Sequence, residues 1–353
     1  MKARRYLIAV AVLVPASLVA DLAQQHSATF ILSALAVVPL AGLLGRATEQ
    51  LALHSGPQVG GLLNATFGNA AELIIGLLLV FRGELDVVRA SITGSIIGNL
   101  LLVLGAAFLA GGIRQKDVRF PAQAASTLVA SMALAVAGIL MPTVYAASAA
   151  HATDFRRETI SVAVGAVLIA LYVANLIFSL VTHTDTFRSE PYEEEGLPAW
   201  SRRAALLALA GAGVLVAFES ELLVGALEPT VRAWGVSKIW VGMILVPIVG
   251  NAAEHSTAVL LALKGKVDIA IDIAVGSSAQ IALLVAPLLV FAGALSGNHL
   301  QLVVTPFEVT AVAVSVAVVA FLVQDGRTNW LEGVQLLGLY TILAVAGFFL
   351  GRP

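Results

Sequence analysis

Hydrophobic and polar positions divide this chain into apolar runs of about 20 residues separated by short polar breaks, and each run is long enough to cross a hydrocarbon core of about 30 Å as a helix. The pattern predicts eleven such helices, over residues 6–23, 29–53, 59–81, 87–110, 122–141, 159–181, a long one from 203, then 239–263, 269–295, 302–323 and 331–350. Gly56-Pro57 ends the second run, and the last turns before it, with Arg46, Glu49 and Gln50, are amphipathic. The only long polar connection, 183–200, carries Glu190 and the run Glu193, Glu194 and Glu195 and reads as a solvated acidic linker.

Two of the apolar runs contain the same five residues. GNAAE stands at 68–72 and again at 250–254, and the shift of 182 positions also lays Gly83 on Gly265, Asp86 on Asp268, Gly94 on Gly276 and Ser95 on Ser277. A two-helix unit is therefore duplicated, which is the sequence mark of secondary transporters. Glu72 and Glu254 are the charges inside the duplicated segments, and an ionisable group at bilayer depth costs roughly 2.5–3.5 kcal/mol on insertion scales. A chain that carries this cost twice, at matched places, is expected to use both carboxylates.

The Lys/Arg bias of the connections predicts the N-terminus and the acidic linker in the cytoplasm and the C-terminus outside, with 13 of the 20 Lys and Arg on the inner side. The two GNAAE helices are five spans apart and so run in opposite directions. The expected fold is an all-α polytopic membrane protein of about eleven transmembrane helices: an N-terminal helix within 1–26, a first inverted five-helix repeat over 27–182, the cytosolic linker 183–200, and a second repeat over 201–353.

Composition agrees with this picture and narrows the function. Hydrophobic residues make up 59% of the 353 and charged residues 12%, against about 25% charged in soluble domains. The net charge of −2 and the lack of any basic stretch exclude nucleic acid as a partner. No cysteine is present, which excludes disulfides, thiolate metal sites and a cysteine nucleophile, and no HExxH pair suggests an intramembrane protease, so no enzyme is expected. The positively charged start, Lys2, Arg4 and Arg5 before an apolar run, resembles a signal peptide, but no clear cleavage site precedes Asp21, and a spanning anchor is expected. The short termini favour a bacterial inner membrane.

The candidate chemistry lies around the duplicated acids. Ala65, Asn69, Glu72 and Gly76, and their equivalents Pro247, Asn251, Glu254 and Ala258, fall on one face of a continuous helix. The partner helices add Ser95 and Asn99, and Ser277, Ser278 and Gln280, while the many glycines allow local unwinding that turns carbonyls toward the site. An almost purely oxygen ligand set suits a hard cation such as calcium, which takes 6–8 oxygens. Two glutamates neutralise one divalent ion, and without it two neighbouring acids held out of water are expected to hold protons instead. The bland reading is that the glutamates only bond packed helices together. His255 is expected to point to a different face from Glu254 and to pack or sit at the interface. Glu308, and Glu219 and Glu221 some 24–27 Å along their helix, are expected near an interface.

These residues resemble the calcium/proton antiporters of the cation/proton exchanger family, within the cation/calcium exchanger superfamily. The resemblance lies in GLLNATFGNAAELI at 61–74, GSIIGNLLLVLG at 94–105, PIVGNAAEH at 247–255 and GSSAQIALLVAPLLV at 276–290, and covers nearly the whole chain. It implies the eleven-helix exchanger fold and antiport of Ca2+ against H+ by alternating access, with Glu72 and Glu254 as the central carriers. Asn69, Asn251, Ser95, Asn99, Ser277 and Gln280 would surround them. Such a protein needs the lipid bilayer and no cofactor beyond its transported ions, and oligomers are permitted but not required. Asn-Ala before each acid, where sodium/calcium exchangers carry Thr-Ser, points away from sodium coupling. The alternatives are an antiporter for Mn2+ or Na+ and, against the inverted repeat, an ion channel.

Overall fold

A computed structural model describes residues 2–115, 117–149, 153–182 and 200–350. The linker glutamates Glu190, Glu193, Glu194 and Glu195 lie outside the described residues. Helix α1 (Lys2–Leu22) packs on α2 (His26–Ser55), which stops at Gly56 in a positive-φ conformation (φ 79°) that only glycine adopts without strain. The third predicted helix, 59–81, is two half-helices, α3 (Pro57–Phe67) and α4 (Ala70–Phe81), because the helical bonding is interrupted around Asn69, at φ −99° and ψ 27°. Past a turn at Gly83, α5 (Leu85–Ile97) continues through a π-helical turn (Gly98–Val103) into α6 (Leu104–Arg114). A short strand, β1 (Val118–Arg119), precedes α7 (Ala122–Ser148) and α8 (Asp154–Ile177), which ends in another π-helical turn (Phe178–Thr182).

The second half repeats the plan. After α9 (Arg202–Trp234), α10 (Lys238–Trp240) passes through a π-helical turn (Val241–Leu245) into α11 (Val246–Gly250), and the chain bends by 61° at Asn251 into α12 (Ala252–Leu263). The predicted helix 239–263 is thus also broken at the asparagine. Then come α13 (Val267–Gln280), a π-helical turn (Ile281–Val285), α14 (Ala286–Ser296), α15 (Pro306–Leu322), β2 (Arg327–Thr328) and α16 (Trp330–Phe349). Among the described residues, eight helices are long and apolar enough to span a membrane. The bent α10–α12 pair, the α3–α4 pair and α15 complete the eleven predicted segments.

Polar contacts sort the connections onto two opposite ends. At one end Lys238 Nζ meets Glu84 at 2.9 Å, Asn298 Nδ2 donates to the Val80 carbonyl at 2.9 Å, and His299 Nδ1 meets Glu158 at 2.6 Å. At the other, β1 pairs antiparallel with β2, Arg114 donates to the Leu263 carbonyl at 2.9 Å, and the Trp200 amide donates to Gln50 at 3.1 Å. The connection after α4 lies at the first end and the one after α12 at the second, so the two glutamate helices run antiparallel and the halves are inverted.

The apolar interior falls into two separate clusters. The larger is built on α5, α6, α13 and α14 with the helices around them. The smaller joins Leu40 and Leu44 of α2, Ala212 and Val216 of α9 and Val14 of α1, and meets the glutamate helices near their starts, through Ala70, Ala71, Ile74 and Ala253. Helices α1, α2 and α9 therefore form a slab that lies across α4 and α12. Where helices must touch backbone to backbone, glycine makes room: a Cβ on Gly333 of α16 would sit 2.3 Å from the Leu109 amide of α6.

Candidate cation site

Each glutamate occupies the third position of a new half-helix whose first flanking residue is an asparagine: Asn69 and Glu72 for α4, Asn251 and Glu254 for α12. In soluble proteins such an asparagine caps its own helix. Here neither side chain does so; each reaches across to the other half of the molecule. Asn69 Nδ2 donates to Gln280 Oε1 at 2.6 Å, and the Ser277 hydroxyl donates to Asn69 Oδ1 at 2.9 Å. Asn251 Nδ2 donates to Ser95 Oγ at 3.3 Å and to the Pro247 carbonyl at 3.1 Å. The breaks in the helices are thus tied down by tertiary bonds, which is how irregular backbone survives at membrane depth.

The glycine before each asparagine lets the opposite acid approach. A Cβ on Gly250 would lie 3.1 Å from Glu72 Cγ and 3.4 Å from its Oε1, and one on Gly68 would lie 3.4 Å from Glu254 Oε1. The two carboxyl groups, from antiparallel helices, are close enough to interact electrostatically. Each starts a half-helix whose amide end favours negative charge. Both Oε2 atoms are buried and find no hydrogen-bond partner, and the same is true of Asn251 Oδ1. Buried acceptors without donors are costly in a folded protein, on the order of 1–3 kcal/mol each, and three unpartnered oxygens of this kind suit a cation or protons.

Not every expected residue faces that centre. Asn99 is buried, but its Oδ1 lies 3.2 Å from His255 Nε2, and its amide nitrogen is unpaired. His255 thus packs against Asn99, where the break at Asn251 starts α12 anew and brings it onto α5's continuation. Ser278 bonds only its own helix, through the Ala274 carbonyl. Glu308 stays out of the site as expected, but it is 2% exposed. It caps α15 in a box with Thr305 and accepts from Thr93 Oγ1 at 3.0 Å. Glu221 pairs with Arg82 at the end of α4, and Glu219, two residues before it, is fully covered by protein.

One acid near the site escaped the sequence reading. Asp272 stands one turn before Gly276 on α13, is exposed, and has Ala90 as its equivalent in the first half. The signal that could have found it is a carboxylate alone between apolar neighbours in the second half of the repeat.

The two halves are not arranged alike. A Cβ on Gly94 of α5 would fall 2.1 Å from the Met243 carbonyl, so α5 and the π-helical turn before α11 are packed to backbone contact. At the equivalent Gly276 nothing lies within 4 Å, and the segment that would match Met243, around Gly61, rests instead against Leu180 after α8. The repeat unit is therefore packed to backbone contact in one half and loosely at the equivalent position of the other.

Comparison with known proteins bears on the same geometry. The model of the sodium/calcium exchanger protein family matches this chain twice, over residues 26–181 and 204–349. A Ca(2+)/H(+) antiporter of Synechocystis sp. is 43% identical over 343 residues, covering 92% of this chain and 91% of its own. The Ca(2+)/H(+) antiporter ChaA of Bacillus subtilis is 40% identical over 352 residues, covering 98% and 99%. The solved structure of native YfkE superposes with a TM-score of 0.85 at 35% identity, covering 98% of this chain and 100% of its own. Two family matches that meet across one pair of glutamates, together with relatives this similar over their whole length, place the chain in the sodium/calcium exchanger protein family of membrane transporters.

Proposed function

We propose that this protein is a Ca2+/H+ antiporter that carries Ca2+ out of the cytosol against entering protons, with Glu72 and Glu254 as one site that holds either a calcium ion or protons. The observation that carries this reading is the pair of opposed carboxyl groups, one from each inverted half, whose buried Oε2 atoms have no donor within the protein. Asn69, Asn251, Ser95, Ser277 and Gln280 hold the two half-helices in place around it, and Asn99 joins through His255. The names of the relatives support the choice of ions.

Calcium supplies the two charges that let both acids ionise, and its ligand shell is met by carboxylate, amide and main-chain oxygens. When the ion leaves, the acids neutralise themselves with protons rather than remain charged out of water. The difference in packing at Gly94 and Gly276 supports alternating access: the same repeat unit is tightly packed in one half and loosely in the other, and exchanging the two arrangements would expose the site to the other side. The positive-inside bias assigns the end that holds the β1–β2 pair to the cytoplasm, in a bacterial inner membrane, with the N-terminus inside and the C-terminus outside. The residue boundaries of the halves are proposed as 27–182 and 201–353, after an N-terminal helix within 1–26.

The test is calcium flux into liposomes driven by an imposed proton gradient. Glu72→Gln and Glu254→Gln each keep size and one oxygen but cannot balance a divalent charge or release a proton. Each should abolish uphill calcium transport while the detergent-solubilised protein stays monodisperse. A Gln variant that transports near the parent rate would refute the shared site. Cysteines placed at Glu84 and Lys264 should label from opposite sides; labelling from one side would refute the inverted arrangement.

A further inference from the structure

Another buried acid, outside the exchange site, lies between α9 and α1. Glu219 of α9 and Ser17 of α1 are each 0% exposed, and Ser17 Oγ lies 2.9 Å from Glu219 Oε1. Val216 and Leu223, one turn to either side of Glu219 on α9, are buried and apolar. Glu219 Oε2 finds no hydrogen-bond partner.

The hydrogen count at Ser17 is informative. Its single hydroxyl proton has two acceptors in reach, the Val14 carbonyl at 2.8 Å and Glu219 Oε1 at 2.9 Å. If the hydroxyl bonds the Val14 carbonyl, as serines in helices commonly do, the contact with Glu219 is a hydrogen bond only when the acid supplies the proton. An ionised Glu219 would instead leave a full charge among apolar side chains with at most one donor.

Neighbouring charges offer no relief. On α9 the nearest, Glu221, is taken by Arg82 at the end of α4. On α1, Asp21 lies one turn beyond Ser17 and carries the same sign as Glu219. The charged or titratable groups of α2, which are His26, Arg46, Glu49 and His54, stand toward its two ends, and Glu72 of α4 starts that half-helix facing Gly250. None of them pairs with Glu219 among the described residues. One carboxyl, one hydroxyl and one carbonyl are too few oxygens for a calcium ion, which needs at least six.

We propose that Glu219 is a second proton-binding site, separate from the exchange site, whose bound proton forms the hydrogen bond from Glu219 to Ser17 that fastens α1 to α9. Loss of that proton forces the Ser17 hydroxyl to choose between the Val14 carbonyl and a buried carboxylate, and so loosens α1 from the slab that lies across both glutamate helices. The equivalent of Glu219 in the first half is Val37, so the site belongs to the place where α1, the helix outside the repeat, joins it.

Infrared difference spectroscopy of the full-length protein in lipid, titrated with pH, reads this directly through the carbonyl stretch of a protonated carboxyl group. It is run on the parent and on Glu72→Gln/Glu254→Gln, so failure of the exchange-site reading leaves the test intact. In both proteins one protonated-carboxyl band, joined in the calcium-free parent by those of Glu72 and Glu254, should remain at neutral pH, vanish on adding Glu219→Gln, and shift to higher frequency on Ser17→Ala as the hydrogen bond is lost. A merely structural contact with an ionised Glu219 gives no such band. Absence of a Glu219-dependent band in folded protein overturns the proposal, and so does a band that Ser17→Ala leaves unmoved. Should Glu219→Gln fail to fold, the Ser17→Ala shift alone decides.

Discussion

Gly250 lies against Glu72: a methyl group on the glycine would stand 3.1 Å from Cγ and 3.3 Å from Cδ of the acid contributed by the other half. The glycine of each GNAAE run is therefore part of the opposite glutamate's setting, and the repeat is meaningful only when both copies are folded together. Gly250→Ala should leave the backbone undisturbed, since Gly250 ends α11 and has no positive φ. It should push the carboxyl off its position and weaken calcium binding by about tenfold, equivalent to about 1.4 kcal/mol. Isothermal titration of the purified variant with calcium checks this; unchanged affinity would show that the approach of Gly250 to Glu72 is incidental.

Competition between protons and calcium at one pair of acids fixes the sign of the pH dependence. Lowering pH on the calcium-loading side fills the acids with protons and raises the apparent Kd for calcium, and raising pH does the reverse. Where both acids must lose a proton for calcium to bind, the limiting slope is about two decades in apparent Kd per pH unit. Initial rates at fixed internal pH and varied external pH measure it, and an affinity independent of pH would separate the proton path from the calcium site.

Asp272 is an exposed carboxylate on α13, a turn before Gly276, and has no counterpart in the first half. A carboxylate at the mouth of a path raises the local concentration of cations, and salt screens the effect. Asp272→Asn should raise KM for calcium by about three- to tenfold at low ionic strength, with the maximal rate kept and the difference shrinking as salt is added. An Asp272→Asn protein that cannot transport at all would put this acid in the exchange site itself.

Gly94 and Gly276 offer opposite experiments on equivalent residues. Alanine at 94 cannot coexist with the Met243 carbonyl 2.1 Å away, so it should exclude the present arrangement and favour the reverse one. Alanine at 276 meets nothing within 4 Å, so it should fold normally and hold the protein in the present arrangement. Both should depress exchange, yet a cysteine at the Asp272 position should become less accessible from the cytoplasmic side in the first and stay accessible in the second. Equal accessibility in both would argue against the two halves exchanging conformations.

Much of this was legible in the amino-acid order, and the misses have physical reasons. The eleven segments and the register of the repeat follow from apolar runs and identities at a fixed spacing. The breaks at Asn69 and Asn251 do not, because Ala, Ile and Leu continue the helical pattern on both sides. The bonds that make a break affordable, from Asn69 to Ser277 and Gln280, come from residues over 200 positions away. Reading the asparagines and glutamates as one continuous face was therefore incomplete, and the partner of His255, Asn99, was not legible for the same reason. Asp272 was missed because duplication served as the filter for function, and its equivalent is Ala90. Glu219 was placed by its distance along α9 alone, which gives depth but not the neighbour that covers it.

The separation of the hydrophobic interior into two clusters has a consequence for energy conversion. The slab of α1, α2 and α9 meets the glutamate helices through alanine and aliphatic side chains, Leu40, Ala71, Val216 and Ala253 among them. Such a contact resists sliding weakly, because no hydrogen bonds need to be broken and remade along it. A smooth greasy seam of this kind lets energy delivered at the glutamates go into moving their helices rather than into breaking polar contacts.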